Sequence, residues 1–209
     1  MNVSAIIPTY NRNAILFERA IPSIARQTVP VDEILIVADG MDTERMDDLM
    51  GRVREAQGLM APSILVWNIE RPVYPEDKGN FWSVQGWAAR NFGLDHAKGA
   101  WIAPLDDDDE WTDNHVEVLL RAALDTGVDF VYGRSVTPWG QRYGHWPPSA
   151  MNFTDGSQIY RNGMGYRYDP ECITRWLPTD GDLWTRMVQG GVSFFFVDEL
   201  VHRYFPAER

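Results

Sequence analysis

Apolar and polar positions fall into blocks along the first two thirds of the chain, and each block has a readable period. Val3-Ser-Ala-Ile-Ile7 is a short β-rich run, and Pro8 after it predicts the end of a buried strand. Leu16, Ala20, Ile24 and Ala25 then recur at helical spacing over 14–27, with Pro22 expected to kink that helix or mark its start. Residues 33–38 predict a second strand ending at Asp39-Gly40. A helix is expected over 42–56, with Met46, Leu49, Met50 and Val53 on one face, and Ser63–Ile69 reads as a third strand. A long polar stretch over 70–86 precedes a helix running to about Lys98.

Residues 101–105 predict a fourth strand that feeds directly into Asp106-Asp107-Asp108-Asp109-Glu110. Val116, Leu119, Leu120, Ala123 and Leu124 form an apolar helical face that Thr112 or Asp113 is placed to cap. A fifth strand is expected over 129–136. This alternation predicts an α/β fold with a parallel sheet and crossover helices. No period survives over 137–179, where Gly, Pro, Trp and Tyr dominate; a helix over 180–189 and a strand over 192–197 follow. No repeat or linker interrupts the chain, so one α/β domain is expected.

Composition narrows the function. With 209 residues, 44% hydrophobic and 23% charged, the chain has a globular composition. Its single cysteine, Cys172, excludes an internal disulfide and every zinc site built from several thiolates. A net charge of −11 argues against nucleic acid and against anionic membrane surfaces as partners. The longest apolar candidate, 194–197, is cut off by Asp198 and Glu199, so no membrane span is expected; with no signal-peptide pattern, a cytoplasmic location is.

Ligands of open α/β sheets bind beyond the carboxyl ends of the strands. Three polar signatures fall there: Pro8-Thr9-Tyr10-Asn11-Arg12, Asp39-Gly40 and the acidic run. Adjacent carboxylates delivered by a strand suit Mg²⁺ or Mn²⁺, which take one or two of them and complete their shell with water and phosphate. In an extended segment, Asp106 and Asp108 face one pocket while Asp107 and Asp109 turn away. A solvated loop capping the next helix is the simpler alternative. An EF-hand is excluded, because Trp111 stands where its sixth-position glycine belongs and a strand precedes it.

The ordered set of Val3-Ser-Ala-Ile-Ile-Pro-Thr-Tyr-Asn-Arg12, Ser23-Ile-Ala-Arg-Gln-Thr28, Glu33-Ile-Leu-Ile-Val-Ala-Asp-Gly40, Ala89-Arg-Asn-Phe-Gly93 and Lys98 through Trp111 resembles family 2 glycosyltransferases. The resemblance implies a GT-A fold: a single Rossmann-like domain with a central, mostly parallel sheet flanked by helices. It would span 1–209, with 1–111 as the nucleotide-sugar half and 112–209 as the acceptor half. It implies that Pro8, Thr9 and Tyr10 bind the nucleotide, with Tyr10 packing on its base, and that Asp39 accepts a hydrogen bond from the base. The family often has a second acid before that aspartate, where this chain has Ala38. Asp106 and Asp107 would lie near the ribose and diphosphate, and Asp108, with Asp106, would hold a divalent metal. Arg90 and Asn91 fall in a stretch that flanks the donor pocket, although Arg90 also reads as a surface charge. His202 would complete the metal shell or simply be packed.

Thr179-Asp180-Gly181-Asp182-Leu183-Trp184 resembles the family segment that carries the general base, with Thr179 in place of an acid. That register selects Asp180, and a slip promotes Asp182; both also read as helix caps. A carboxylate at a helix N-terminus has its anion stabilised, so a weak base is expected. The segment 139–146, with Trp146, Tyr160 and Trp176, is the expected acceptor wall or a second hydrophobic cluster. His145 lies beside it, and His96 and His115 read as helix-surface residues. The implied activity is a metal-dependent, inverting transfer of a sugar from a nucleotide diphosphate, UDP favoured, to a carbohydrate or other hydroxyl acceptor. A non-catalytic binding relic remains the alternative. A nucleotidyltransferase is less favoured, because the loop after the first strand lacks glycines to grip a triphosphate.

Overall fold

The computed structural model describes residues 2–149 and 152–206. Strands β1 (Val3–Thr9), β2 (Glu33–Asp39), β3 (Ser63–Ile69) and β4 (Trp101–Pro104) are parallel, with β1 between β2 and β4 and with β3 outside β2. Every residue of β1 and β2 is buried, as expected where helices cover both faces of a parallel sheet. Pro8 does not end β1. It lies opposite Val37 near the strand terminus, where an extended proline and one missing N–H are tolerated. Side chains alternate between two cores: Ala5, Ile7, Ile34 and Ile36 enter one, Ile6 and Leu35 the other.

The first crossover is composite. α1 (Asn13–Ile15) passes through a π-helical turn at Leu16–Ala20 into α2 (Ile21–Ala25), which has Pro22 in its first turn. The proline therefore marks a start, after a turn in which Ile21 N–H reaches back to Leu16 O. α3 (Thr43–Gln57) is capped by Asp42 and buries Leu49 and Val53, but Met50 stays exposed. α4 (Lys78–Val84), capped by Asp77, occupies part of the stretch expected to be irregular. α5 (Trp87–His96) follows, and α6 (His115–Thr126) begins after Asn114. Neither Thr112 nor Asp113 caps α6; the Thr112 hydroxyl bonds the Asn114 side chain instead. Leu124 stays exposed, while His115 is buried and stacked on Trp111 at 4.3 Å, not on the helix surface. Burial pushes its pKa down to about 3, so it is neutral.

The second half departs most from expectation. β6 (Phe130–Val136) does not follow β4 directly in the sheet, because β8 (Gln158–Arg161) lies between them, antiparallel to both. A two-residue strand β7 (Arg142–Tyr143) pairs with β6, and a 3₁₀ turn at Pro170–Arg175 precedes α7 (Thr179–Gln189). β9 (Phe194–Arg203) runs past Asp198 and Glu199 because these acids sit in a bulge. Its pairing jumps from Tyr132↔Phe196 to Arg134↔Leu200, and β5 (Glu110–Trp111) closes on its far end. The sheet order is β3-β2-β1-β4-β8-β6-β9-β5, with β7 on β6. Among the described residues no helix is long and apolar enough to cross a membrane.

Gly99, just before β4, packs directly on β1. Its N–H donates to Ser4 Oγ at 2.8 Å, and a Cβ there would lie 2.6 Å from Ser4 N. Because the clash is with backbone, Gly99→Ala is expected to lower the unfolding free energy by about 1–3 kcal/mol in urea titrations.

Candidate active site

The ends of β1, β2 and β4 meet at a cleft of about 510 Å³. At one end, Asp39 is buried at the tip of β2, where its Oδ2 accepts a hydrogen bond from Tyr74 OH at 2.5 Å. Arg71 Nη1 donates to Asp39 O at 2.9 Å, and the guanidinium lies 3.7 Å over the Tyr10 ring. Gly40, at φ +72°, leaves room for Arg71: a Cβ would fall 2.4 Å from Arg71 Cβ. Asp39 Oδ1 is buried without a hydrogen-bond partner, an acceptor whose cost a ligand N–H would remove.

The acidic run is a turn, not an extended segment; Asp109 N–H donates to Asp106 O at 3.2 Å. The expected alternation therefore fails, and Asp106, Asp107 and Asp108 all line the cleft. Thr9 Oγ1 donates to Asp107 at 2.8 Å, Arg12 pairs with Asp107 and Asp108, and Arg90 pairs with Asp106. Burial, with repulsion from Asp106, pushes Asp107 up to about 6 despite Thr9 and Arg12. Burial and the charges of Asp106, Asp109 and Asp107 push Asp108 up to about 7. Arg90 is no surface charge. It is buried, and its Nε lies 3.0 Å from Asp155 Oδ2. Asn91 turns away and exchanges two hydrogen bonds with the Tyr168 backbone.

The fit of a divalent cation follows from this charge. Among the described residues no three His, Cys, Asp or Glu side chains form a closed ligand group. The crowded carboxylates of Asp106 and Asp108, the latter raised by burial and by the charge of its neighbours, do suit an ion that takes two protein oxygens and finds its remaining ligands on a diphosphate. Arg12 neutralises part of that charge and would share Asp108 with the ion.

Asp180 and Asp182 separate cleanly. Asp180 lines the cleft in the first turn of α7, with one carboxylate oxygen held by Gly181 N–H at 2.7 Å. Burial and the negative charge of Asp155 outweigh that hydrogen bond and push Asp180 up to about 7. The weak base expected from the helix N-terminus is thereby corrected to one matched to neutral pH. Asp182 is buried away from the cleft, with Arg175 Nε at 2.5 Å and Arg186 Nε at 2.7 Å.

Of the other expected site residues, Pro8, Thr9 and Tyr10 line the cleft, whereas His202 does not. His202 is fully buried behind the acidic turn, with Nε2 3.2 Å from Asp109 Oδ2 and Nδ1 3.0 Å from Thr154 Oγ1. This packing matches the simpler of its two readings. The expected acceptor trio is not assembled: Tyr160 stacks on Phe130 in the core, Trp146 and Trp176 are exposed, and none lines the cleft. His145 is also away from it, bonded to Asn152. Tyr143, Phe153, Asp155, Tyr204 and Phe205, from the second half of the chain, line the cleft instead. Arg12 lay inside a motif already singled out. Arg71 follows β3, whose Ile69 pairs with Asp39, so strand register could have found it. Asp155 sits in the aperiodic segment and carried no signal.

A family model described as Glycosyl transferase family 2 matches residues 85–180. The chain is 28% identical over 206 residues to the uncharacterized glycosyltransferase YwdF of Bacillus subtilis, covering 98% of this chain and 65% of that protein. Residues 1–349 of S. aureus TarS in complex with UDP superpose with a TM-score of 0.71 at 16% identity, over 99% of this chain and 61% of TarS 1–349. The mannosyltransferase PcManGT of Pyrobaculum calidifontis, in complex with GDP-Man and Mn²⁺, superposes with a TM-score of 0.68 at 16% identity, over 97% of this chain and 56% of that one. The chain thus spans under two thirds of the length of each. Residues 85–180 are thus similar to family 2 glycosyltransferases, and the chain has the GT-A fold, with the mixed sheet described above.

Because Asp182 neutralises two arginines in the wall behind the cleft, Asp182→Asn is expected to destabilise the fold by about 1–3 kcal/mol in thermal unfolding. Ligand binding at the cleft should persist in the folded variant.

Proposed function

We propose that this chain transfers a sugar from a nucleoside diphosphate to an acceptor hydroxyl, with inversion at the anomeric carbon. The observation that carries this reading is the meeting in one cleft of an unpartnered buried acceptor on Asp39, an acidic turn bridged by arginines, and a carboxylate of raised pKa at Asp180. The glycosyltransferase relatives and the UDP complex of TarS support it.

In this reading the donor base lies against Tyr10 and offers a ring N–H to Asp39 Oδ1, which favours an imide base such as uracil. Thr9, Arg12 and Arg90 hold the acidic turn in place beneath the diphosphate. Asp106 and Asp108 would hold Mn²⁺ or Mg²⁺, which supplies positive charge to the departing diphosphate. The Mn²⁺ complex of PcManGT supports that assignment. Asp180 accepts the proton of the acceptor hydroxyl as the oxygen attacks the face opposite the leaving group, and its anion is held in line by Gly181 N–H. Asp155 makes that proton transfer easier, since its charge raises the proton affinity of Asp180.

Calorimetry with UDP, GDP and dTDP, each with and without Mn²⁺, tests the donor site. UDP is expected to bind, and more tightly with the ion; no binding to any of the three overturns the reading, and binding indifferent to Mn²⁺ removes the metal from it. Asp180→Asn is expected to abolish sugar transfer and leave UDP affinity nearly unchanged, whereas full activity in that variant would displace Asp180 as the base. A protonated carboxyl cannot accept the acceptor's proton. The wild-type rate should therefore fall as pH drops through about 7 and level off above it, in a kcat–pH profile.

A further inference from the structure

The far side of the cleft has a chemistry of its own. Tyr143 ends β7 and is fixed by pairing with Ser135 on β6. Tyr204 follows β9, and its N–H bonds Val136 O at 3.0 Å. The end of one strand thus places both phenols, whose rings meet edge to face at 5.9 Å. Both line the cleft and are half-buried, and neither hydroxyl has a hydrogen-bond partner among the described residues. Asp155 and Asp180 line the same cleft. Among the described residues three cations line the cleft, Arg12, Arg71 and Arg90, and each is already engaged by carboxylates of the acidic turn, Asp155 or Asp39.

We propose that Tyr143 and Tyr204 form the acceptor subsite of this cleft and that it takes an uncharged pyranose ring, not a phosphorylated acceptor. The proposal rests on the sugar-transfer reading above. One face of a pyranose presents C–H groups that suit the electron-rich face of an aromatic ring, while its hydroxyls need donors and acceptors at the rim. Two rings, two free phenols and two carboxylates supply both. An anionic acceptor would meet Asp155 and Asp180 with no uncommitted cation among the described residues that line the cleft to offset the repulsion. Tyr204 lines the cleft together with Asp106 of the acidic turn and Asp180, and it feels the charges of Asp109, Asp106 and Asp180.

Saturation-transfer NMR on the full chain with UDP tests this. The probes are methyl glycosides of glucose, galactose, mannose and N-acetylglucosamine, compared with glucose 6-phosphate and glycerol 3-phosphate. At least one methyl glycoside is expected to receive saturation, more strongly than either phosphate. Tyr143→Ala and Tyr204→Ala should each reduce that signal by about fivefold or more, and Tyr→Phe at either position, which keeps the ring, by less. UDP affinity by calorimetry should stay within about twofold in all four variants, which also reports that they are folded. Stronger saturation of a phosphate, or an undiminished signal in the alanine variants, overturns the subsite. UDP binding without any glycoside signal overturns the subsite alone; failure of the wild-type chain to bind UDP overturns the donor reading and the subsite with it.

Discussion

Arg90 ties together parts of the cleft that are distant in the chain, since one guanidinium pairs with Asp106 after β4 and with Asp155, 65 residues beyond Arg90 itself, before β8. The group is buried, so neither carboxylate could tolerate its loss without leaving negative charge out of water. Gly86 provides the space: a Cβ there would fall 2.6 Å from Arg90 Nη1. The acidic turn, the lining carboxylate Asp155 and, through its charge, the proton affinity of Asp180 all depend on this one bridge.

The parallel half of the fold was legible because its strands are buried on both faces and bounded by Gly, Pro or Asp. Ser63–Ile69 matches its expected bounds, and the turn after β2 announces itself by Asp39-Gly40. The second half was not, for identifiable reasons. Gln158–Arg161 is too short to show a period, and its order comes from β4 and β6 on either side. The acids at Asp198 and Glu199 read as an end because a bulge opposite Gly133 cannot be seen along one strand. Residues contributed by strand ends, such as Tyr10, Asp39 and Asp106, could be placed on the site from sequence. Residues that reach it through tertiary packing could not. Trp146 and Tyr160 looked like an acceptor wall by composition, whereas it is Tyr143 and Tyr204 that line the cleft, by register with β6.

The electrostatics of the cleft reconcile two needs. Carboxylates that are buried and confined together resist ionisation, as Asp107, Asp108 and Asp180 show, and a cleft so charged would repel a diphosphate. Arg12, Arg71 and Arg90 offset only part of it. A cation brought with the donor would complete the balance, which ties affinity for the diphosphate to the presence of the ion. The excess of acids over bases in the sequence therefore has a local meaning at this turn, distinct from the solvated surface elsewhere.

The position of β8 also constrains how the molecule is made. β4 and β6 are complete by residue 136, yet their shared neighbour spans Gln158–Arg161 and lies between them. As the chain leaves the ribosome, the N-terminal strands can collapse while a gap persists at the centre of the sheet, with two unsatisfied edges facing it. β8 must then enter between two strands already made rather than add at the rim, and β9, later still in the chain, pairs with the other edge of β6. Any chain released before that strand emerges would carry a pair of sticky edges in search of a substitute.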